Sequence, residues 1–171
     1  MRGPATTRLR QAAYDAQLAA ALPVSDLARE LLTSTAHLIS HRRCGAYIHT
    51  IQQTDWFAAA FTGFTDPISV RGGRGHSRAD AAHRLVKIGG DDRRDVGRCE
   101  QACLHELAHI VTADHGPDTD RREPATGQHS SKGHHHAWRA NFVFLASQTL
   151  GRDAARRLHS EFNLWGLPVR T

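Results

Sequence analysis

The most informative chemical pattern in the chain is the sequence HELAH at residues 105–109. His105 and His109 are four residues apart, and on a helix this spacing stacks two side chains on one face. Two imidazoles placed in this way can bind one metal ion, and zinc accepts histidine nitrogens at about 2.0 to 2.1 Å. Glu106 projects to nearly the same side, where a carboxylate can accept a proton from water. The pattern therefore predicts a zinc site with Glu106 as the general base.

The chemistry expected of such a site is hydrolysis. Zinc lowers the pKa of a bound water toward about 7, which makes hydroxide available at neutral pH. Glu106 would take the proton of this water and pass it to the leaving nitrogen of a peptide or other amide bond. The sequence thus predicts a zinc metallohydrolase of the HExxH type, with a peptide or protein as its substrate.

A third zinc ligand must come from outside HELAH, because a catalytic zinc usually has three protein ligands and one open position. His105, His109 and His115 have the ligand spacing of a metzincin. That class, however, has glycine where this chain has Thr112, and it needs a Met-turn, whereas the only methionine here is Met1. The residues alone leave several candidates open, namely His115, His129, His134, His135 and His136.

The segment GHHHAW, which begins at Gly133, adds a resemblance to known proteins. Together with HELAH it resembles a family of small metallohydrolases of actinobacteria and their phages, and more distantly the SprT-like zinc metalloproteases. In both groups a Gly-His pair and a following aromatic residue come after the HExxH helix. Gly133 and His134 match that pair and Trp138 matches the aromatic residue, which implies that His134 is the third ligand. His135 and His136 stand where those families often have Gly and Pro.

The resemblance also implies a fold and a way to bind substrate. It implies an α+β, zincin-like domain, mostly helical, with a small β-hairpin or sheet beside the HExxH helix. In zincins an extended peptide commonly pairs with the strand edge beside the cleft, which aligns the scissile amide with the metal. The segment 84–88 is the candidate for that edge. A nucleic-acid-associated protease of the SprT-like kind and a non-catalytic, metal-stabilised interaction module are the alternative functions.

Helices must position the histidines, and hydrophobic periodicity with capping residues predicts six of them. Ser25 or Asp26 is the expected cap of the second helix, and one of Asp91, Asp92 and Asp95 is the expected cap of the helix that carries HELAH. Residues 114–133 are polar and rich in Gly and Pro, and we expect a mobile loop and a candidate lid there. The predicted helices span residues 5–22, 26–32, 41–51, 95–113, 135–150 and 153–165.

Two short strands are predicted before the metal helix. Residues 68–71 and 84–88 alternate apolar and polar side chains, as expected of half-buried strands. Glycines at 72, 73 and 75 suggest a turn between them, so we expect the two strands to pair as a hairpin.

The cysteines and the aromatic residues have simpler roles. Three cysteines, at positions 44, 99 and 103, are too few for a disulfide framework. Cys99 and Cys103 have helical spacing and could be ligands, but free cysteine is among the most buried residue types, so we expect packing residues. The aromatic and apolar residues expected to pack the last two helices are Trp138, Phe142, Phe144, Leu145, Phe162 and Trp165.

Length, charge and hydropathy set the broad class. A chain of 171 residues is long enough for one domain, and we expect a single one over residues 1–171. It has neither an apolar run long enough to span a bilayer nor a signal-peptide pattern, so a cytoplasmic protein is expected. The net charge of +5 is compatible with nucleic acid, but the basic residues are scattered and support that partner only weakly.

Overall fold

The computed structural model of the chain describes residues 4–112 and 134–169, which form a mixed α+β fold. Within these ranges the elements, in chain order, are α1 Pro4–Ala19, α2 Asp26–Leu31, α3 His41–Gln52, α4 Asp55–Ala60, β1 Ser69–Gly73, β2 Arg78–Asp80, β3 Leu85–Gly89, a 3₁₀ turn Asp92–Arg94, α5 Val96–Thr112, α6 His136–Leu150 and α7 Arg152–Leu164. None of these helices is both long enough and apolar enough to cross a membrane.

The described residues divide into two compact units. Residues 23–112 form the first, called here the sheet unit, which contains α2 to α5 and the three strands. Residues 4–22 and 134–169 form the second, called here the helical unit, which contains α1, α6 and α7. The predicted loop at 114–133 lies outside the described residues, and so do the candidate ligands His115 and His129.

Four helices of the sheet unit begin at capping side chains. Ser25, Ser40, Thr54 and Asp95 each accept a hydrogen bond from the backbone N–H three residues later. Such a bond satisfies one of the N–H groups that the first turn of a helix leaves without a partner. Three of these helices were predicted from the sequence to within two residues at each end; the short helix α4 was not predicted.

The three strands form one sheet in the order β1-β3-β2. β1 pairs with β3 in parallel, from Ser69 opposite Leu85 to Gly73 opposite Gly89, and β2 pairs with β3 antiparallel. The predicted hairpin of residues 68–71 with 84–88 is therefore wrong, because the connection contains the unpredicted strand β2, which reverses the chain once more. β3 is paired on both sides, so the prediction that 84–88 is a substrate-binding edge is also wrong.

The end of β3 is held by close backbone packing. A Cβ at Gly89 would collide with the backbone of Gly75 and His76, so only glycine fits there. Ser77 links the end of β3 to the 3₁₀ turn that follows. Its Oγ accepts a hydrogen bond from Gly89 N at 3.0 Å and donates one to Asp92 at 2.7 Å. These contacts fix the entry into α5.

The core of the sheet unit lies among α3, α4, α5 and the sheet. Val86 and Ile88 of β3 are buried while Lys87 between them is half-buried, which confirms the predicted alternation. Other fully buried residues of this core are Tyr47, Ile48, Phe57, Ile68, Leu104 and Leu107. Burial of such side chains is the main stabilising contribution to this unit.

The helical unit is built on an aromatic cluster. The Trp138 ring lies 5.1 Å from that of Phe142 and 6.1 Å from that of Phe162, so it joins α6 to α7. The two helices are separated by Gly151, whose φ of 93° suits glycine. Of the residues predicted to pack these helices, Trp138, Phe142, Leu145 and Phe162 are buried and Phe144 is half-buried. Trp165 is 45% exposed, because α7 ends one residue before it and the chain turns there.

Candidate metal-binding residues

HELAH lies in the second half of α5, inside the sheet unit. Nearly every residue of this stretch is buried, including His105, Glu106 and Leu107. A helix that is buried on most sides normally carries apolar residues all round. Polar side chains within it are therefore held in a restricted space, which suits a site that must orient its ligands.

His105 and His109 lie side by side on α5, as their spacing predicts. Their ring centroids are 5.1 Å apart, and a ring nitrogen of one lies within 4.8 Å of a ring nitrogen of the other. Two ligands at about 2.0 to 2.1 Å from a tetrahedral ion are about 3.3 Å apart, a separation that small imidazole rotations would reach. His105 is 2% exposed and His109 is half-buried, so one edge of the pair is open to solvent.

Glu106, the predicted general base, is a buried residue of α5. It follows His105 directly on α5 and is 3% exposed. A carboxylate in a water-poor environment interacts more strongly with nearby charges and protons than one in bulk water. Its place next to the histidine pair is compatible with proton transfer at that site.

His134 lies in the helical unit, two residues before α6. It is buried, and its ring packs edge-on against Trp138 at 4.2 Å and against Tyr14 at 5.5 Å. Two aromatic rings therefore restrict the orientation of this imidazole. The neighbouring alternatives are less enclosed, since His135 at the N-cap position of α6 and His136 at its first residue are both half-buried.

The backbone of His134 is held by a residue that the sequence did not single out. Arg139 is fully buried, and its Nη1 donates a hydrogen bond to the His134 carbonyl at 2.7 Å. Its Nε and Nη2 donate to the Pro168 carbonyl at 3.1 and 2.9 Å. The sequence contains one hint of this role, which is the presence of an arginine within the apolar sequence of α6. An arginine that such a helix buries needs hydrogen-bond partners, because arginine is seldom fully buried without them.

A buried hydrogen-bond network is centred on Glu100, which lies on α5 about one and a half turns before HELAH. Glu100 is fully buried and accepts hydrogen bonds from the Tyr47 hydroxyl at 2.7 Å, from Ser25 N at 2.9 Å and from the Ser25 hydroxyl. Burial, followed by the charge of Glu100, raises the pKa of Tyr47 well above its ordinary value. The network joins α3 and the start of α2 to α5, and it too was missed from the sequence.

The three cysteines form a second group of metal-ligand type, also within the sheet unit. Cys44, Cys99 and Cys103 are free and buried, as predicted, and their sulfur atoms lie within 4.8 Å of one another. Hydrogen bonds from Cys103 and then from Cys99 lower the pKa of Cys44 to about 4. Hydrogen bonds to Cys44 and Cys99, together with burial, raise the pKa of Cys103.

Comparison with known proteins adds no assignment to this geometry. No protein family, no curated protein and no solved structure matches the chain.

Proposed function

We propose that this chain is a zinc-dependent hydrolase with a zincin-like fold, and specifically a metallopeptidase of the HExxH type. The observation that carries the proposal is the pair of imidazoles on α5, whose nitrogens lie within 4.8 Å of each other beside a buried glutamate. The resemblance of HELAH and GHHHAW to actinobacterial and SprT-like metallohydrolases supports the same conclusion.

The donor set fits zinc. His105 and His109 provide two nitrogen ligands, and His134 is proposed as the third because it matches the Gly-His pair of the resembling families. Its ring is buried against two aromatic side chains and its carbonyl is held by Arg139, which suits a ligand that must keep one orientation. His135 and His136 are the alternatives to be tested beside it.

Glu106 performs the proton transfers of the proposed reaction. Zinc held by these histidines would supply Lewis-acid chemistry when bound, which would make water more acidic and the substrate carbonyl more electrophilic. The Glu106 carboxylate accepts the proton of the attacking water while the new C–O bond forms. It then donates that proton to the amide nitrogen as the C–N bond breaks, which leaves a carboxylic acid and an amine.

An extended peptide would pair with an outer strand of the sheet. β3 is occupied on both sides, whereas β2 is paired only with β3 in the described part of the chain and also packs against α5. The free edge of β2, Arg78–Asp80, is therefore the edge nearest in structure to the metal helix. Main-chain pairing there would hold a peptide alongside the helix that carries His105 and Glu106.

Zinc content and peptidase activity, measured on the same preparations, test the proposal. The wild-type chain should bind zinc at His105, His109 and His134 and hydrolyse a labelled casein or a quenched peptide library. His105→Ala should lose both properties. Glu106→Gln should keep zinc but lose activity by roughly 10²- to 10⁴-fold, because the amide side chain cannot accept the proton.

The control is His37→Ala, since His37 is exposed and has no ligand spacing with the other histidines. It should match the wild type in both measurements. His134→Ala, His135→Ala and His136→Ala distinguish the third ligand, because only loss of the true ligand weakens zinc binding. Full activity of Glu106→Gln would contradict the role of the base. A folded wild type that binds zinc but cleaves no substrate would favour the non-catalytic module.

A further inference from the structure

The cysteines of this chain converge on one place in the sheet unit. Cys44 comes from α3, and Cys99 and Cys103 come from successive turns of α5. The chain has three cysteines in 171 residues, and all three are fully buried with their sulfur atoms within 4.8 Å of one another. Packing alone does not require this arrangement, because alanine or valine fills such positions without bringing sulfur atoms together.

The separations of the sulfur atoms match those of a metal–thiolate site. Cys44 Sγ lies 3.5 Å from Cys99 Sγ, and all three sulfurs lie within 4.8 Å of one another. A metal–sulfur distance of about 2.3 Å requires sulfur–sulfur separations of about 3.8 to 4.0 Å in tetrahedral or trigonal geometry. An ion at the centre of the three sulfurs would therefore need only small side-chain movements.

A positive charge lies near the cluster. The Arg93 guanidinium is close enough for its charge to favour the thiolate form of Cys44. Its Nη1 donates to the Ile39 carbonyl at 2.9 Å, while its buried Nε has no hydrogen-bond partner in the described part of the chain. Three thiolates with a monovalent or divalent ion carry a net negative charge, which this guanidinium would partly offset.

The cluster is separate from the histidine pair, although both use α5. At about 100° per residue, the mean direction of Cys99 and Cys103 on α5 differs from that of His105 and His109 by about 120°, so the two groups lie on different faces of the helix. The chemistry also differs, because imidazole nitrogens suit zinc, whereas three thiolates select soft ions. Among the described residues, no fourth His, Cys, Asp or Glu joins the cysteines.

We propose that Cys44, Cys99 and Cys103 form a second metal site, which binds a soft, thiolate-preferring ion and fastens α3 to α5. Cu⁺ and Zn²⁺ are the physiological ions of that class, and the three-sulfur donor set favours Cu⁺ because structural zinc normally takes four ligands. The site is independent of the proposed hydrolase activity. Its role is to stabilise the helix that carries HELAH from a face different from the one that carries the histidines.

Cadmium is the probe for this site, because each Cd–S bond contributes to a sulfur-to-metal charge-transfer absorption. We expect the reduced, metal-free full chain to develop this absorption and to saturate at one Cd²⁺ per chain. A His105→Ala/His109→Ala variant should retain it, while Cys44→Ser should lose at least a third of its intensity and bind Cd²⁺ at least 10-fold more weakly. Equal absorption in wild type and Cys44→Ser would overturn the proposal.

Displacement of the bound Cd²⁺ identifies the physiological ion. Displacement by Cu⁺ or by Zn²⁺ supports a metal site and says which ion it takes, whereas displacement by neither overturns it. Fewer than three titratable thiols in the unfolded chain, isolated without reductant, would show a disulfide and also overturn it. If Cys44→Ser and Cys44→Ala both misfold, X-ray absorption of the Cd²⁺-loaded wild type decides, since three sulfur neighbours are required.

Because the histidine double variant retains the cysteines, failure of the two proposals can be told apart. Loss of peptidase activity with normal cadmium–thiolate absorption would contradict only the hydrolase. Absence of that absorption from an active zinc enzyme would contradict only the cysteine site.

Discussion

The Tyr47 hydroxyl donates a hydrogen bond to Glu100 Oε1 at 2.7 Å, and both residues are fully buried. A charged carboxylate is costly to bury unless its oxygens accept hydrogen bonds. Here Tyr47 and the backbone and hydroxyl of Ser25 all donate to Glu100. The network therefore holds α5 against α3 and the start of α2 through a polar contact inside the core.

Removing the tyrosine hydroxyl tests how much this contact stabilises the fold. Tyr47→Phe keeps the ring but takes one donor from a buried carboxylate, so we expect a loss of about 1 to 3 kcal/mol in the free energy of unfolding. Urea denaturation monitored by circular dichroism measures it. As a control, Asp26→Ala removes the exposed ion pair with Arg29 and the acidic residue in the first turn of α2, and it should lower the free energy of unfolding by less than about 1 kcal/mol. Equal effects of the two substitutions would argue against the network.

The same hydroxyl makes the free energy of unfolding depend on pH in the alkaline range. The folded pKa of Tyr47 is raised, so the folded state holds the phenolic proton more tightly than the unfolded chain, whose tyrosine titrates near pH 10. The contribution of this raised pKa to the free energy of unfolding is fully present below about pH 10, and it declines as the pH rises toward the folded pKa. The difference in unfolding free energy between wild type and Tyr47→Phe should therefore shrink from about pH 9 to about pH 11. A constant difference over that range would contradict the raised pKa.

The sequence predicted the parts of the site that depend on local spacing. An i, i+4 pair on a helix places His105 beside His109 whatever the rest of the chain does, and Asp95 caps α5 by a contact over three residues. Glu100 and Arg139 were missed because their partners are distant in sequence. Ser25 is 75 residues from Glu100 and Pro168 is 29 residues from Arg139, and no periodicity encodes such contacts.

The sheet shows the same contrast, because the burial of a strand follows from its local sequence whereas its pairing depends on residues that are distant in sequence. Alternation in the strand at residues 84–88 identified the buried residues Val86 and Ile88. It could not identify the partners of that strand, because β1 and β2 are chosen by long-range packing and only three residues form β2. Two strands close in sequence suggested a hairpin, whereas the intervening strand makes their pairing parallel.

Gly89 offers a sharp test of the described sheet. Gly89→Ala would place a methyl group against the backbone of Gly75 and His76, which cannot move aside as a side-chain tip can. We expect a loss of about 2 to 4 kcal/mol or failure to fold. Gly73→Ala, directly opposite in β1, meets only the Lys87 Cβ at 3.9 Å and should be neutral or slightly stabilising. Thermal melts of both variants measure the contrast, and similar melting temperatures would refute the packing at Gly89.

Arg139 is predicted to be a positioning residue for His134, a prediction that depends on the proposed zinc site. Arg139→Met fills a similar volume but leaves the carbonyls of His134 and Pro168 without these donors, so zinc affinity should fall by about 10- to 100-fold. Arg139→Lys cannot reproduce the planar fork and should recover only part of the loss.

The absorption spectrum of bound Co²⁺, measured well below the melting temperature, separates positioning from a merely structural role. A variant that is only less stable should give the wild-type spectrum at that temperature, whereas a displaced ligand should change it. Arg156→Met is the matched control, since Arg156 forms an exposed ion pair with Asp153. It should leave zinc affinity and the Co²⁺ spectrum unchanged. If Arg139→Met also bound zinc with wild-type affinity and gave the wild-type spectrum, His134 would not depend on Arg139, and the hydrogen bond to its carbonyl would serve the helical unit alone.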